Sequence, residues 1–231
     1  VFSTASEMSN NLKNEFETKV ALEARASEDD RLSSPSAGRN RDVIRDIFKQ
    51  LMPAQGTALE IGSGTGEHAM HIAATMPGIT WQPSDPDPAS RRSISAWREH
   101  LTLANVQAPL ALDVTAPAWW QHPDLPDRIS MLISINMIHI APFAAVQGLL
   151  AGAGELLSSG DRLFLYGPFK RHGETAPSNH EFAASLKARD EGWGVRDLDL
   201  EILPLADQAG LSLTTVIEMP ANNLSVIFSK D

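Results

Sequence analysis

Thr57-Ala-Leu-Glu-Ile-Gly-Ser-Gly-Thr-Gly-Glu-His-Ala69 is the stretch that decides the fold. Its apolar start gives way to alternating glycines at Gly62, Gly64 and Gly66, and apolar residues then recur at the spacing of one helix face. This pattern predicts a strand, a tight turn and a helix. Glycines permit the positive φ values of such a turn and let a ligand approach the backbone amides beyond it. The loop therefore predicts a site for a nucleotide-like molecule, with a tight turn that binds nothing as the alternative.

The glycine spacing argues against a pyrophosphate ligand. A dinucleotide fingerprint needs glycine at the position of Glu67, and the lysine of a phosphate-binding P-loop is absent. The pattern Glu60-x-Gly62-x-Gly64-x-Gly66 instead resembles motif I of the class I S-adenosylmethionine (SAM) dependent methyltransferases. That resemblance implies a ligand without phosphate, whose ammonium and sulfonium charges an acid such as Glu60 can face.

Composition limits the possible classes of protein. The 231 residues suffice for one large α/β domain and include no cysteine, which excludes disulfides and fits a reducing compartment, so we expect a cytoplasmic protein. The formal net charge of −10, with scattered lysines and arginines, disfavours nucleic acid as a partner. The longest apolar stretch, Ile129–Ile140, is interrupted by polar residues and too short to span a bilayer. A small neutral or cationic acceptor fits this composition better.

Hydrophobic periodicity predicts alternating strands and helices after a peripheral beginning. Residues 1–36 are predicted to form an arm or an added helix, with weak helical character over Met8–Ala26, and residues 37–231 form the domain. The segment Gly167–Arg196 is predicted to be a loop-rich insert that shapes the acceptor pocket or forms a lid. The other predicted elements are a helix over Ser36–Met52, strands at 57–61, 79–83, 109–112, 129–135 and 162–166, a helix over Leu198–Ala209, and a final strand pair, 211–219 and 224–229.

Two acids follow predicted strands. Asp87 precedes Pro88 and is expected to cap the next helix, which leaves Asp85 available to bind the two hydroxyls of a ribose. The alternative for Asp85 is an Asx turn. Asp113 can accept a hydrogen bond from an adenine amino group or can cap the following turn.

Four further blocks sharpen the resemblance. Trp81-Gln-Pro-Ser-Asp-Pro-Asp87, Ile135-Asn-Met-Ile-His-Ile140, Tyr166-Gly-Pro-Phe-Lys170 and Met219-Pro-Ala-Asn-Asn223 are similar to the methyltransferase-like 26 family. The resemblance implies a Rossmann-like, mostly parallel seven-stranded sheet with an antiparallel last strand and helices on both faces, and SAM as the cofactor. The implied cofactor-binding residues are Arg39, Asn40, Glu60, Gly62, Ser63, Gly64, Gly66, Asp85, Asp113 and Asn136.

The acceptor side is less well defined. His139, just past the fourth predicted strand, and Tyr166, at the end of the fifth, are the candidate catalytic residues. The alternative for His139 is a hydrogen bond that holds the loop, and the alternative for Tyr166 is a packed phenol. Lys170, Asn179 and Trp193, in the insert, are the candidate substrate-binding residues. No metal site is expected, because His68 and His71 lack a recognisable third ligand. Three functions stay open: a small-molecule methyltransferase, a SAM-binding protein that acts by association, and a nicotinamide-dependent reductase.

Overall fold

The computed structural model describes residues 24–231. The predicted weak helix over Met8–Ala26 lies outside this part of the chain except for its last residues, where Ala26 begins a short strand. The division into an arm of residues 1–36 and a domain from residue 37 therefore stays a prediction.

Strands and helices alternate along the described chain. The strands are β1 (Ala26–Glu28), β2 (Arg31–Ser33), β3 (Gly56–Ile61), β4 (Ile79–Ser84), β5 (Met131–Ile135), β6 (Arg162–Lys170), β7 (Arg196–Asp197), β8 (Leu211–Met219) and β9 (Asn223–Lys230). The α-helices are α1 (Pro35–Leu51), α2 (Glu67–Ala73), α3 (Pro88–Leu101), α4 (Phe143–Leu156), α5 (Pro177–Arg189) and α6 (Leu203–Gln208).

The main sheet has seven strands in the order β4-β3-β5-β6-β9-β8, with the short β7 beside the end of β6. Neighbours among β4, β3, β5 and β6 pair in parallel, whereas β9 is antiparallel to both β6 and β8. Helices cover both faces. This arrangement confirms the predicted Rossmann-like sheet with an antiparallel last strand.

Two apolar clusters, one on each face of the sheet, form the core. On one face, Phe48 of α1 packs against Trp81 and Phe164. The distance between ring centroids is 5.5 Å for Phe48 and Trp81 and 5.6 Å for Phe48 and Phe164. On the other face, α4 buries Leu149 and Leu150 against the sheet. Burial on both faces explains why β5 is apolar throughout rather than alternating.

Two predicted elements differ from the structure. The strand predicted over Pro109–Leu112 is reduced to an isolated bridge between Ser84 and Leu110. A second bridge joins Trp81 and Val106, so four steps of this segment match three steps of β4 and no regular ladder joins the two bridges. The helix predicted over Leu198–Ala209 is a π-helical turn, Leu198–Ile202, followed by α6. Pro204 lacks the amide hydrogen that an unbroken α-helical ladder would need there.

The insert prediction was also wrong in part. The strand predicted to end at Tyr166 continues to Lys170, and thirteen residues of the supposed loop form α5. The apolar residues of α5 do not gather on one face, so hydrophobic periodicity gave no signal for this helix.

The β1–β2 hairpin packs on the outside of α3. The Leu32 amide donates to Ser93 Oγ at 2.9 Å, and Trp97 Nε1 donates to the Leu32 carbonyl at 2.8 Å. Arg31 stacks over the Trp97 ring at 5.2 Å. These contacts fix the chain just before α1 at one end of the sheet.

Strand β8 lies at the edge of the described sheet. Its pairing with β9 shifts register between Leu213 and Thr215, so that Thr214 forms a bulge. The Thr214 hydroxyl donates to the Ile227 carbonyl at 2.9 Å. None of the helices within residues 24–231 has both the length and the apolar character needed to cross a membrane.

Candidate active site

A cleft of about 450 Å³ opens at the carboxyl ends of the parallel strands. In open α/β sheets this edge is where ligands bind. Its described walls include the glycine loop after β3, the turn after β4, residues 112–115, Met137 and residues 140–142 after β5, together with Asp190 and Trp193. Chain segments far apart in sequence therefore meet around one cavity.

The three glycines of the loop all have positive φ, at +72° for Gly62, +56° for Gly64 and +88° for Gly66. A Cβ atom at Gly62 would lie 2.5 Å from Met137 Cγ, and one at Gly66 would lie 3.1 Å from Ile94 Cα. Nothing lies within 4 Å of the corresponding position at Gly64. Packing thus explains Gly62 and Gly66, whereas the open space at Gly64 lets a ligand approach the backbone.

Asp85 lines the cleft and braces its loops. Its Oδ2 accepts from the Gly64 amide at 2.9 Å, and its Oδ1 accepts from the Asp87 amide at 2.9 Å. Asp85 therefore forms the Asx turn that the sequence left open, and it also faces the cavity. Asp87 caps α3 by accepting from the Ser90 amide at 2.7 Å, as predicted. Burial is the main cause that raises the pKa of Asp85 to about 6, against these hydrogen bonds.

Glu60 is a second cleft carboxylate and is only 2% exposed. Its Oε2 accepts from Trp81 Nε1 at 3.1 Å, and the Ser63 side chain provides another hydrogen bond. Burial outweighs both bonds and raises the pKa of Glu60 to about 7. A positive charge bound in the cleft would stabilise the ionised form of this carboxylate.

Asp113 is exposed at the cleft and holds a turn. Its Oδ1 accepts from the amide of Thr115 at 2.9 Å and from the hydroxyl of Thr115 at 2.7 Å. Arg25 also lines the cleft, and its positive charge partly opposes the rise that burial causes in the pKa of Asp85. His68 lines it too, but burial lowers the pKa of His68 to about 4, so this ring is neutral at pH 7.

The structure brings together seven of the predicted site residues around the cleft: Glu60, Gly62, Ser63, Gly64, Asp85, Asp113 and Trp193. Eight others do not line it, namely Arg39, Asn40, Gly66, Asn136, His139, Tyr166, Lys170 and Asn179. Asn179 is buried and donates to the Asn222 carbonyl at 3.0 Å, which fastens α5 to the turn between β8 and β9.

The two candidate catalytic side chains are buried behind the cleft. His139 Nδ1 lies 3.4 Å from the Arg196 amide, and burial lowers the pKa of His139 to about 3. The Tyr166 hydroxyl hydrogen-bonds to the Asn40 side chain, and burial raises the pKa of Tyr166. Both side chains have packing roles, and their catalytic roles stay predictions.

The two histidines of α2 each form a hydrogen bond with a side chain of α1. His68 Nε2 lies 2.8 Å from Asn40 Oδ1, and His71 Nε2 lies 2.8 Å from Asp42 Oδ1. Within residues 24–231, no group of three or more acidic or histidine side chains is arranged to hold a metal ion.

Sequence reasoning missed Glu67 and Ser34. Glu67 Oε2 accepts from the Ser34 amide at 2.6 Å and from the Thr65 hydroxyl at 3.0 Å. This carboxylate ties the start of α1 to the glycine loop, and Ser34 and Thr65 both line the cleft. The Ser34-Pro35 pair was a readable helix-start signal, but its neighbour in the fold lies 33 residues away.

Comparisons with known proteins agree with this geometry. A family model described as "Protein of unknown function (DUF938)" matches residues 31–230. An O-methyltransferase family protein from Burkholderia thailandensis has the same fold, with a TM-score of 0.70 at 13% identity over 85% of this chain and 56% of that one. The mitomycin 7-O-methyltransferase MmcR has a TM-score of 0.69 at 15% identity, over 85% of this chain and 54% of that one.

Human N-acetylserotonin methyltransferase, solved in complex with SAM, gives a TM-score of 0.65 at 14% identity over 84% of this chain and 52% of that one. The chain thus spans little more than half the length of these proteins. At such identities the likeness establishes a shared fold, that of class I SAM-dependent methyltransferases.

Proposed function

The chain belongs to the DUF938 family, whose description states no function, and we propose that it is an enzyme that transfers a methyl group from SAM to a small-molecule acceptor. The observation that carries the proposal is the open space above Gly64, in a glycine loop whose neighbouring cleft side chains Glu60 and Asp85 are acidic. Such a site suits a ligand with a diol and positive charges better than one with a pyrophosphate.

The residues of the cleft fit the separate parts of SAM. The backbone of Gly62–Gly66 would hold the methionine and ribose end, Asp85 the ribose hydroxyls and Asp113 the adenine amino group. Glu60, with a pKa of about 7, would face the ammonium and sulfonium charges. SAM supplies a methyl carbon that is activated by its positively charged sulfur.

Methyl transfer of this kind is an in-line displacement, so alignment provides much of the acceleration. The acceptor would enter beside Ile140, Ala141, Pro142 and Trp193, which line the same side of the cleft. This mostly apolar surface would orient the acceptor and exclude water from the reacting atoms. An acceptor such as a thiolate or a tertiary amine needs no base; for others, His139 and Tyr166 stay the predicted candidates.

We also propose kinship with the methyltransferase-like 26 family, on the four sequence blocks that resemble it. The solved neighbours named as O-methyltransferases suggest a hydroxyl acceptor among the possibilities. A second candidate function is SAM binding without catalysis. It is favoured by the burial of His139 and Tyr166 away from the cleft.

Two measurements separate these functions. Calorimetric titration with SAM, with its demethylated product S-adenosylhomocysteine (SAH) and with NADH tests the ligand, and we expect micromolar binding of the first two only. Incubation with methyl-labelled SAM and a cell metabolite extract, followed by mass spectrometry, tests turnover. NADH binding without a response to SAM would refute the proposal, and SAM binding without any labelled product would favour the non-catalytic function.

A further inference from the structure

Two segments that are distant in sequence form one side of the cleft. The first, here called the strand wall, comprises residues 138–142 after β5; the second, here called the insert wall, comprises residues 190–193 after α5. Ile140, Ala141 and Pro142 of the strand wall and Trp193 of the insert wall line the cavity. Both walls therefore contribute to the shape of the cleft on this side.

One side chain joins the two walls. Arg196 in β7 is 8% exposed, and its Nε donates to the Ile138 carbonyl at 3.0 Å. Its Nη2 donates to the carbonyls of Ala141 and Gly192, both at 2.7 Å. Two of these acceptors belong to the strand wall and one to the insert wall, so a single guanidinium holds both.

Neighbouring contacts reinforce this link between the two walls through Arg196, here called the clasp. The Gly194 amide donates to the His139 carbonyl at 3.0 Å, and the Arg196 amide points at His139 Nδ1. The Arg196 guanidinium stacks over the Phe143 ring at 5.5 Å, at the start of α4. His139 thus serves as the backbone and ring partner of the segment that carries Arg196.

The chemistry of the position calls for arginine. Within residues 24–231, the side-chain acceptors of Arg196 are all carbonyl oxygens. Burial lowers the pKa of Arg196, and the charge of Glu201 opposes this shift. A buried cation without a contacting carboxylate is costly unless each donor is bonded. A planar fork of donors meets three carbonyls at once, whereas a lysine ammonium is a single point on a flexible stem.

We propose that Arg196 is a positioning residue that holds the strand wall and the insert wall at a fixed separation and thereby determines which acceptors enter the cleft. This inference rests on the proposed function for its consequence in catalysis. Its structural content, a clasp between two walls, can be measured without an acceptor.

The first test compares Arg196→Lys and Arg196→Met with Arg98→Lys. Arg98 is a matched control, because its Nε also donates to a carbonyl, that of Val106, away from the cleft. Hydrogen exchange of the Gly194 and Ile140 amides should accelerate at least about tenfold in both Arg196 variants, since loss of the clasp lets the walls open locally. Exchange in β3 and β5 and the affinity for SAH should stay within roughly twofold.

The second test is a rescue that uses the absence of cysteine from the chain. A Cβ atom at Gly192 would lie 3.7 Å from Pro142 Cβ, within the range that a disulfide spans. Asp190 Oδ1, 3.2 Å from that Cβ position, would need to shift slightly. We therefore add Pro142→Cys and Gly192→Cys to Arg196→Met. Slow exchange at Gly194 should return when the bond is oxidised and disappear again when it is reduced.

Turnover gives the third readout. With saturating labelled SAM and serial dilutions of the metabolite extract, Arg196→Lys should raise the half-saturating amount of extract at least about fivefold, and the oxidised disulfide should restore it in the Arg196→Met background. Normal exchange in both Arg196 variants, or a disulfide that restores nothing, would overturn the clasp. Absence of label with the wild-type protein would instead refute the proposed function, and the exchange and rescue would still decide on Arg196.

Discussion

Replacing Glu60 by glutamine should stabilise the protein while weakening its cofactor site. Glu60 is buried beneath the glycine loop, and its pKa rises from 4.5 to about 7. Between these two pH values the folded state keeps a proton that the unfolded chain has released, so the free energy of unfolding falls as pH rises through this window. At about 1.4 kcal/mol for each pH unit, the ionised carboxylate lowers stability by roughly 3 kcal/mol above pH 7.

Glutamine keeps the shape of Glu60 and can still accept from Trp81 Nε1, but it carries no charge to bury. Allowing about 1 kcal/mol for imperfect hydrogen bonding at either pH, we expect Glu60→Gln to gain about 2 kcal/mol of stability at pH 8 and to lose up to about 1 kcal/mol at pH 4.5. For a chain of this length that gain corresponds to a thermal midpoint higher by roughly 4–8 °C at pH 8. The titration of Asp85 is common to both proteins and largely cancels in the comparison.

Ligand binding should change in the opposite direction. At pH 8 the ionised Glu60 would attract the positive charges of SAM, so Glu60→Gln should weaken the binding of SAM at least about tenfold. The binding of 5′-methylthioadenosine, which lacks those charges, should weaken much less. Thermal unfolding at pH 4.5 and 8 and calorimetric titration with both ligands test this. A variant that is less stable at pH 8, or that loses equal affinity for both ligands, would refute the reasoning.

Three other substitutions probe the cleft and the core. Gly64→Val should weaken SAH at least about tenfold with a folded circular dichroism spectrum, because the side chain fills open space at a φ of +56°; unchanged affinity would mean that no ligand approaches this loop. Asp85→Ala should weaken SAH by about 10- to 100-fold and shift the thermal midpoint little, because loss of two backbone hydrogen bonds is offset by relief of carboxylate burial; normal affinity with a lowered midpoint would make Asp85 a turn residue alone. Gly152→Val should lower the free energy of unfolding by about 1–3 kcal/mol or more, because a Cβ atom would lie 2.1 Å from Trp119 Cζ2. SAH titration should show normal affinity per folded molecule. An unaltered melting curve would contradict the close packing of Gly152 against Trp119.

Local patterns were enough to predict the parts of the fold that chain neighbours determine. The glycine loop follows β3 because a strand, positive φ values and a helix start all lie within thirteen consecutive residues. The Asp87-Pro88 cap was likewise predicted, since its partner Ser90 is three residues away. The mostly parallel sheet with its antiparallel last strand followed from the resemblance rather than from periodicity.

Long-range relations escaped prediction. Arg196 finds its acceptors 55 to 58 residues earlier in the strand wall, and no local pattern marks a residue that acts at such a distance. His139 looked like a catalytic base from its place after a strand, but the fold turns its ring towards Phe169, with 5.0 Å between the ring centroids. Helix α5 escaped because its apolar side chains do not share a face.

The bulge at Thr214 changes what the free edge of β8 offers to another strand. Strand β8 is nine residues long and forms the edge of the described sheet, so its outer backbone groups offer a template for another strand. A bulge bends and twists an edge strand, which spoils the straight ladder that a second copy would need. Exposed Leu213 would otherwise present an apolar side chain to such a partner. Thr214, which does not line the cleft, therefore makes β8 a poorer template for edge-to-edge pairing.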